Sequence, residues 1–366
     1  MKHAHNHICF VIPPVIYQKM AEKPHLRERA MRAMEISERQ RGVRQAAMML
    51  PLLGAAGTKH RTIFDATNGT NQPGSEVRDE GDPESQDISV NEAYDYSGDT
   101  YDFFSQVYNR NSVDDHGLLL KSTVHFDNQY NNAFWNGFQM IYGDGDGEHF
   151  NRFTISVDVI GHELTHGITQ NEAQLVYQGQ PGALNESMSD VFGSLLKQWV
   201  NNQTADKADW LIGQGLFTDV VKGTALRSMS APGTAYDDPD LGKDPQPAHM
   251  RDLVNTNRDN GGVHINSGIP NRAFFLAATN LGGFAWQKAG LIWYRTLCGR
   301  LSPTADFQAA ADATVAVAAS LFGSASVEQK AVIDAWANVG ITATVEAPAA
   351  LTAPPKSPVA KPMGAR

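Results

Sequence analysis

The stretch VIGHELTHGITQNEA, Val159 to Ala173, sets two histidines four residues apart with a glutamate directly after the first. On a helix, positions i and i+4 project from one face, about 6 Å apart along the axis. His162 and His166 then reach one metal ion. Glu163, about 100° further round, reaches a water on that metal without binding the ion itself. The feature constrains the fold twice over. It demands a helix here, and it demands a neighbouring element with a third ligand, because a catalytic zinc takes three protein ligands and keeps one position open. The competing reading is an ordinary helix whose two histidines lie on the surface, a chance match in a chain with 12 histidines.

GALNESMSD, Gly182 to Asp190, supplies the candidate third ligand. Glu186 and Asp190 share a helix face; Glu186 can ligate while Asp190 accepts the outer N–H of a ligand histidine and fixes its orientation. Either acid alone reads as a solvated surface residue; beside the histidine pair that reading loses its force. RDNGGVHINSG, Arg258 to Gly268, offers a tight turn at Gly261-Gly262 and then His264, with Asp259 before it. A lone histidine among small and apolar residues is usually structural, but one positioned by an aspartate also suits a transition-state hydrogen-bond donor.

Charge and composition narrow the partners. The chain of 366 residues carries a formal charge of −10, which argues against nucleic acid and anionic membrane surfaces. Its 42% hydrophobic content suits a globular protein of two or three folding units. Cys9 and Cys298 form no disulfide framework, and no apolar run approaches the ~18 residues of a membrane span. ICFVIPPVI, following one Lys and three His, faintly resembles a secretory signal. Pro13-Pro14 interrupts it, and Tyr17, Gln18 and Lys19 stand where small cleavage-site residues belong, so no standard signal peptide is expected.

Four stretches differ in character. Residues 1–51 hold nine Lys/Arg against four Glu and no Asp, a formal +5, which leaves −15 for the remainder. Residues 25–49 read as a helix, with Leu26, Ala30, Met31 and Met34 at roughly helical spacing. Charge alone leaves open whether it is a solvated amphipathic helix or a basic segment docked on an acidic body. Residues 60–155, rich in Gly, Asp, Asn and aromatics, read as strands and loops; residues 156–343 shift to longer helical patterns. Two of these end at a glycine suited to the position just past a helix. The last stretch, 344–366, is rich in Ala, Pro and Lys and is expected to be a disordered tail.

In this order and spacing, the three motifs closely resemble the thermolysin-like zinc metalloendopeptidases, peptidase family M4. YNNAFWNG (Tyr130–Gly137), YGDGDG (Tyr142–Gly147) and LRSMS (Leu226–Ser230) extend the resemblance from about Arg61 to Ile341. It implies an α+β fold of two lobes, one β-rich and N-terminal (52–177), the other α-helical and C-terminal (178–343), with the zinc helix at the floor of the cleft. It implies one zinc per chain on His162, His166 and Glu186, with Glu163 as general base, Asp190 orienting His162 and Asn185 orienting His166. His264, held by Asp259, and Tyr177 would stabilise the oxyanion. Asn132, Ala133 and Arg227 would bind substrate backbone. Phe150, Phe153, Val159, Ile212, Leu216 and Leu226 would line a hydrophobic pocket for the residue after the scissile bond.

The first 51 residues resemble the small propeptide of the protealysin subgroup, IPPVIY matching its Pro-Pro motif. That implies a removable inhibitory segment docked on its own body, cut by the enzyme in about residues 48–60. Cys9 is read as apolar packing rather than as a thiolate on the zinc. Thermolysin's double calcium site is expected to be absent: Asp158, Asp209 and the neighbourhood of Glu186 survive, but the other ligand positions read Lys197, Leu211 and Gln214. A further calcium loop has Thr224 in place of an aspartate, and the 144–146 loop stays open as a calcium site.

Two other readings compete. A zinc aminopeptidase needs an acidic anchor and a GAMEN-type sequence, absent here. An inactive zinc-bound interaction protein has no need of Glu163, Tyr177, Arg227 and His264 together. The expected product is a monomeric precursor of a neutral metalloendopeptidase acting on proteins and peptides, either cytoplasmic or secreted by a non-standard route.

Overall fold

The structure, a computed structural model, describes residues 10–47 and 58–345. Cys9, most of the expected cleavage segment and most of the expected tail lie outside the described residues.

Five strands build the N-terminal sheet: β1 (Arg61–Asp65), β2 (Ser75–Asp79), β3 (Leu120–Val124), β4 (Ala133–Trp135) and β5 (Met140–Tyr142). Their order is β2-β1-β3-β5-β4, with β3 parallel to both β1 and β5, and β2 and β4 antiparallel at the edges. Every residue of β4 and β5 is buried. Unlike β4, a strand at a sheet edge usually faces water on its unpaired side. The cover comes from the N-terminal segment: Phe10 forms an antiparallel bridge to Phe134, and their rings lie 5.1 Å apart.

Between β2 and β3 runs a 21-residue helix, α3 (Ile88–Tyr108), where the sequence reads as strands and loops. Asp87 caps it by accepting the Ser89 N–H, and Val90, Ala93, Tyr94, Ser97, Phe103 and Phe104 fill one buried stripe. Tyr, Asp and Gly98 interrupt the apolar signal. A Cβ at Gly98 would come within 2.4 Å of the Arg61 guanidinium, which would have to shift.

The N-terminal segment forms two helices, α1 (Pro14–Ala21) and α2 (Arg27–Ala47). Pro14 sits at the first position of α1, where a missing N–H costs nothing. Leu26, just before α2, and Ala30, Ala33 and Ile36 on it form the buried stripe; Met31, expected on that face, is 55% exposed. Phe10, Val11, Ile16, Met20 and Leu26 belong to the same core as the rest of the protein. The basic helix is therefore docked. Arg29 pairs with Asp146 and Glu148, Arg32 with Asp127, and Lys23 with Asp240.

α4 (Val157–Asn171) and α5 (Gly179–Val200) pack tightly. Gly193 permits this, because a Cβ there would meet the Asp158 carbonyl at 2.4 Å. Two-residue ribbons follow, β6 (Leu211–Ile212) with β7 (Arg227–Ser228) and β8 (Asp237–Asp238) with β9 (Gly242–Lys243). Helices α6 (Asp259–Asn266), α7 (Gly268–Leu281), α8 (Ala289–Gly299), α9 (Phe307–Phe322) and α10 (Val327–Asn338) complete the second lobe. Gly323 and Gly340, just past α9 and α10, take the positive φ that the sequence suggests.

Candidate active site

His162, Glu163 and His166 are wholly buried on α4, and Glu186 faces them from α5. The two His Nε2 atoms lie 3.0 Å apart, and Glu186 oxygens lie 3.5 Å from each. Tetrahedral bonds of about 2.0–2.1 Å to zinc place ligand atoms about 3.3–3.4 Å apart, so these edges suit such an ion. The outer nitrogens explain the direction of the lone pairs. His162 Nδ1 lies 2.8 Å from Asp190 Oδ1, and His166 Nδ1 lies 2.8 Å from Asn185 Oδ1. With Nδ1–H donating outward, both Nε2 lone pairs point at one another, an arrangement a cation between them stabilises. The three ligand atoms all lie within 4.8 Å of one another.

Three further residues support this set without a signal in the sequence reading. Ser189 Oγ lies 3.0 Å from His166 Nδ1, and Asn271 donates to Asp190. Trp135 N–H donates to Glu163 Oε2 at 3.0 Å, tying the base candidate to β4. Ser189 lies one turn beyond Asn185, so helix spacing alone could have found it; the other two come from distant elements.

Electrostatics separate the acids. Burial pushes the Glu163 carboxyl up to about 8, although the charge on His162 pulls the other way. Burial likewise opposes ionisation of Asp190, but the Arg227 guanidinium and His162 outweigh it and hold the carboxyl at about 2. Glu186 is held well below the usual carboxylate range because His264 and His166 outweigh its burial.

His264 follows a strained turn. Asp259, Asn260, Gly261 and Gly262 all have positive φ, from 49° to 81°, a left-handed turn at the start of α6. The turn folds the Asp259 carboxylate back onto both the His264 N–H, at 2.9 Å, and its Nδ1, at 2.6 Å. Only glycine adopts such φ without strain, so Asp259 and Asn260 are held there by their surroundings. His264 Nε2 then lies 3.2 Å from the Tyr177 hydroxyl, and that hydroxyl donates to Glu186.

Arg227 makes a bidentate pair with Asp190 at 2.8 Å on both arms, and also reaches the Val11 carbonyl. Asn132 Oδ1 accepts the Ile12 N–H, and Ala133 accepts the Val11 N–H. The residues expected to grip substrate backbone therefore grip residues 11–12 of the same chain. Phe150, Phe153, Val159, Ile212, Leu216 and Leu226 are all at most 2% exposed. Ile212 pairs with Arg227 across β6 and β7, and Phe150 and Phe153 stack at 5.9 Å. Lys197 lies 2.9 Å from both Asp158 and Asp209.

Residues 43–170 match the family described as thermolysin metallopeptidase, catalytic domain, and residues 173–341 the thermolysin metallopeptidase, alpha-helical domain. The chain belongs to the thermolysin family of zinc metalloendopeptidases. Within it, the chain is similar to the precursor of protealysin, a metalloproteinase from Serratia proteamaculans. The two structures superpose with a TM-score of 0.84 at 53% identity, over 91% of this chain and all of that one. An extracellular metalloprotease of Pectobacterium carotovorum subsp. carotovorum is 52% identical over 91% of this chain and 96% of its own length. Protease PrtS of Photorhabdus sp. (strain Az29) is 54% identical over 78% of this chain and 77% of its own length.

Proposed function

We propose that the chain is the precursor of a neutral endopeptidase that is held inactive by its first 51 residues and removes them itself. Residues 52–177 and 178–343 then form the two catalytic lobes. The observation that carries this reading is the coincidence of two features. A buried two-histidine, one-carboxylate set is built for a metal, and the chain's own N-terminal segment lies across the residues beside it.

Bound by His162, His166 and Glu186, zinc supplies polarisation of the scissile carbonyl and acidification of a water molecule. Glu163 takes a proton from that water and passes it to the leaving amine. Its Oε2 is anchored by Trp135, and its Oε1 has no hydrogen-bond partner among the described residues. Burial raises its pKa to about 8, against the lowering effect of the His162 charge, and a bound cation would lower it further. His264, oriented by Asp259, and Tyr177 donate to the developing oxyanion. Arg227, Asn132 and Ala133 hold the substrate backbone.

The apolar pocket favours cleavage on the amino side of Leu, Phe, Ile or Val. Lys197 stands in for a double calcium site, and the enzyme works as a monomer. Among the described residues no helix is long and apolar enough to cross a membrane. The relatives' description as extracellular favours action outside the cell. The test is hydrolysis of an internally quenched peptide blocked at both ends. Cleavage that chelation abolishes and added zinc restores is expected; an inert zinc-loaded, segment-free protein overturns the reading.

A further inference from the structure

We infer that the Phe10–Val11 peptide bond of the N-terminal segment is itself a cleavage site of this enzyme, bound in the register of a substrate. The inference rests on the endopeptidase reading above. It deepens that reading by naming a bond well away from the expected boundary near residues 48–60.

Four consecutive backbone groups carry the register. The Phe10 carbonyl lies 3.1 Å from His264 Nε2, and the Asp259 carboxylate lies 2.6 Å from Nδ1; both oxygens only accept, so the ring donates from both nitrogens, with Nε2–H directed at that carbonyl. The Val11 N–H donates to the Ala133 carbonyl at 3.2 Å. Arg227 donates to the Val11 carbonyl at 3.3 Å, and the Ile12 N–H donates to Asn132 Oδ1 at 3.0 Å. The oxyanion donor thus faces one peptide bond, and every backbone-gripping group engages the residues after it. Val11, directly after that bond, is apolar and fully buried, as the expected pocket requires.

The alternatives are worse on physical grounds. Sliding the segment by one residue turns its side chains to the opposite face. Sliding it by two brings Pro13 to the Ala133 carbonyl, where it has no N–H to give. Beyond Ile12 the segment turns into α1 at Pro14, so little extended chain remains downstream. Glu163 is attached to Trp135, the neighbour of Phe134, which bridges Phe10. A cavity of about 250 Å³, lined by residues that include Phe10, Tyr177, Asp259 and His264, gives solvent a place beside the bond. That is room for several water molecules at ~30 Å³ each.

The reaction needs only water. Its oxygen bonds to the Phe10 carbonyl carbon, the C–N bond breaks, Phe10 keeps the new carboxylate and Val11 takes the proton and becomes an amine. The remaining segment stays docked through Arg29, Arg32 and the buried face of α1 and α2. The cut therefore detaches the first ten residues without freeing the rest.

The experiment follows zinc-loaded, full-length protein by intact mass and by labelling of new N-termini. A species beginning at Val11 and a fragment ending at Phe10 are expected. They should form at a rate independent of protein concentration and at least about 100-fold more slowly in Glu163→Ala. A synthetic peptide of residues 6–17, carrying Cys9→Ser and offered to segment-free enzyme, should be cut between Phe10 and Val11. The same samples are assayed on the quenched peptide. If that peptide is cut while Phe10–Val11 stays intact in both formats, or is cut at a neighbouring bond, the register is overturned and the endopeptidase reading stands. If neither is cut, both fall together.

Discussion

The Lys197 ammonium lies 2.9 Å from the Asp158 carboxylate, joining α5 to the first turn of α4 one turn before His162. Asp158 is fully buried, and the same ammonium reaches Asp209 and the Leu211 carbonyl. A single fixed cation thus ties α4 to the ribbon that carries Ile212, one of the residues proposed to line an apolar pocket. Two outcomes follow. Millimolar calcium raises the Tm little, measured by calorimetry with and without chelator. Lys197→Ala costs about 3–5 kcal/mol in urea unfolding, because it strands a buried carboxylate. A large calcium-dependent rise in Tm of the wild type counts against the lysine's role.

Glu163→Ala separates the proposed base from the proposed ligands. His162, His166 and Glu186 remain, so the variant retains about one zinc per chain by elemental analysis. Turnover of the quenched peptide falls by about 10²–10⁴. The purified variant accumulates as full-length precursor, and active enzyme added in trans converts it. Self-trimming at the wild-type rate counts against Glu163 as the base or against self-processing.

Charge complementarity fixes the docked segment. Asp146 is fully buried at its side chain and accepts from Asn131 and three backbone N–H groups as well as Arg29. Replacing Arg29 and Arg32 together by Glu sets like charges against Asp146, Glu148 and Asp127. The double variant shortens the lag before peptide hydrolysis begins, followed from the first minutes after zinc addition. An unchanged lag assigns docking to the apolar stripe alone.

His125 bridges Asp87 and Asp144, at 2.7 and 2.9 Å. The Asp144 hydrogen bond outweighs burial and, with Asp87, raises the imidazole to about 9. A raised pKa means the pair stabilises the fold fully below about 6.5 and loses that effect as pH rises through about 9. Both carboxylates are about a third exposed, so the contribution is on the order of 1 kcal/mol after screening. His125→Gln therefore destabilises at pH 6 and little at pH 10, read from urea midpoints at both values.

The pocket predicts where substrates break. Mapped cuts in an unstructured protein fall before Leu, Phe, Ile or Val, since burying such a side chain gains roughly 1.5–3 kcal/mol. Cuts dominated by charged residues after the scissile bond contradict the assignment.

The zinc helix was legible because helical spacing converts HELTH directly into geometry, and Glu186 and Asp190 obey the same period. The turn before His264 was half legible: Gly261-Gly262 announces it, but the left-handed Asp259 and Asn260 depend on tertiary support. Helix α3 was hidden because its buried stripe mixes Tyr and Ser with Phe and Val. The occupancy of the cleft by Phe10 to Ile12 was invisible for another reason. It joins residues more than 100 positions apart, and no local period encodes which strand edge an extended segment will choose.

That edge carries one more consequence. Besides the Phe134 ring, β4 meets the segment through main-chain groups, and the pairing is antiparallel. A helix has already spent its N–H and carbonyl groups on itself and has none to present. Recognition is then a test of conformation before it is a test of side chains. On the proposed endopeptidase reading, a folded target would be nicked only where it frays or opens, at a rate set by its own local unfolding.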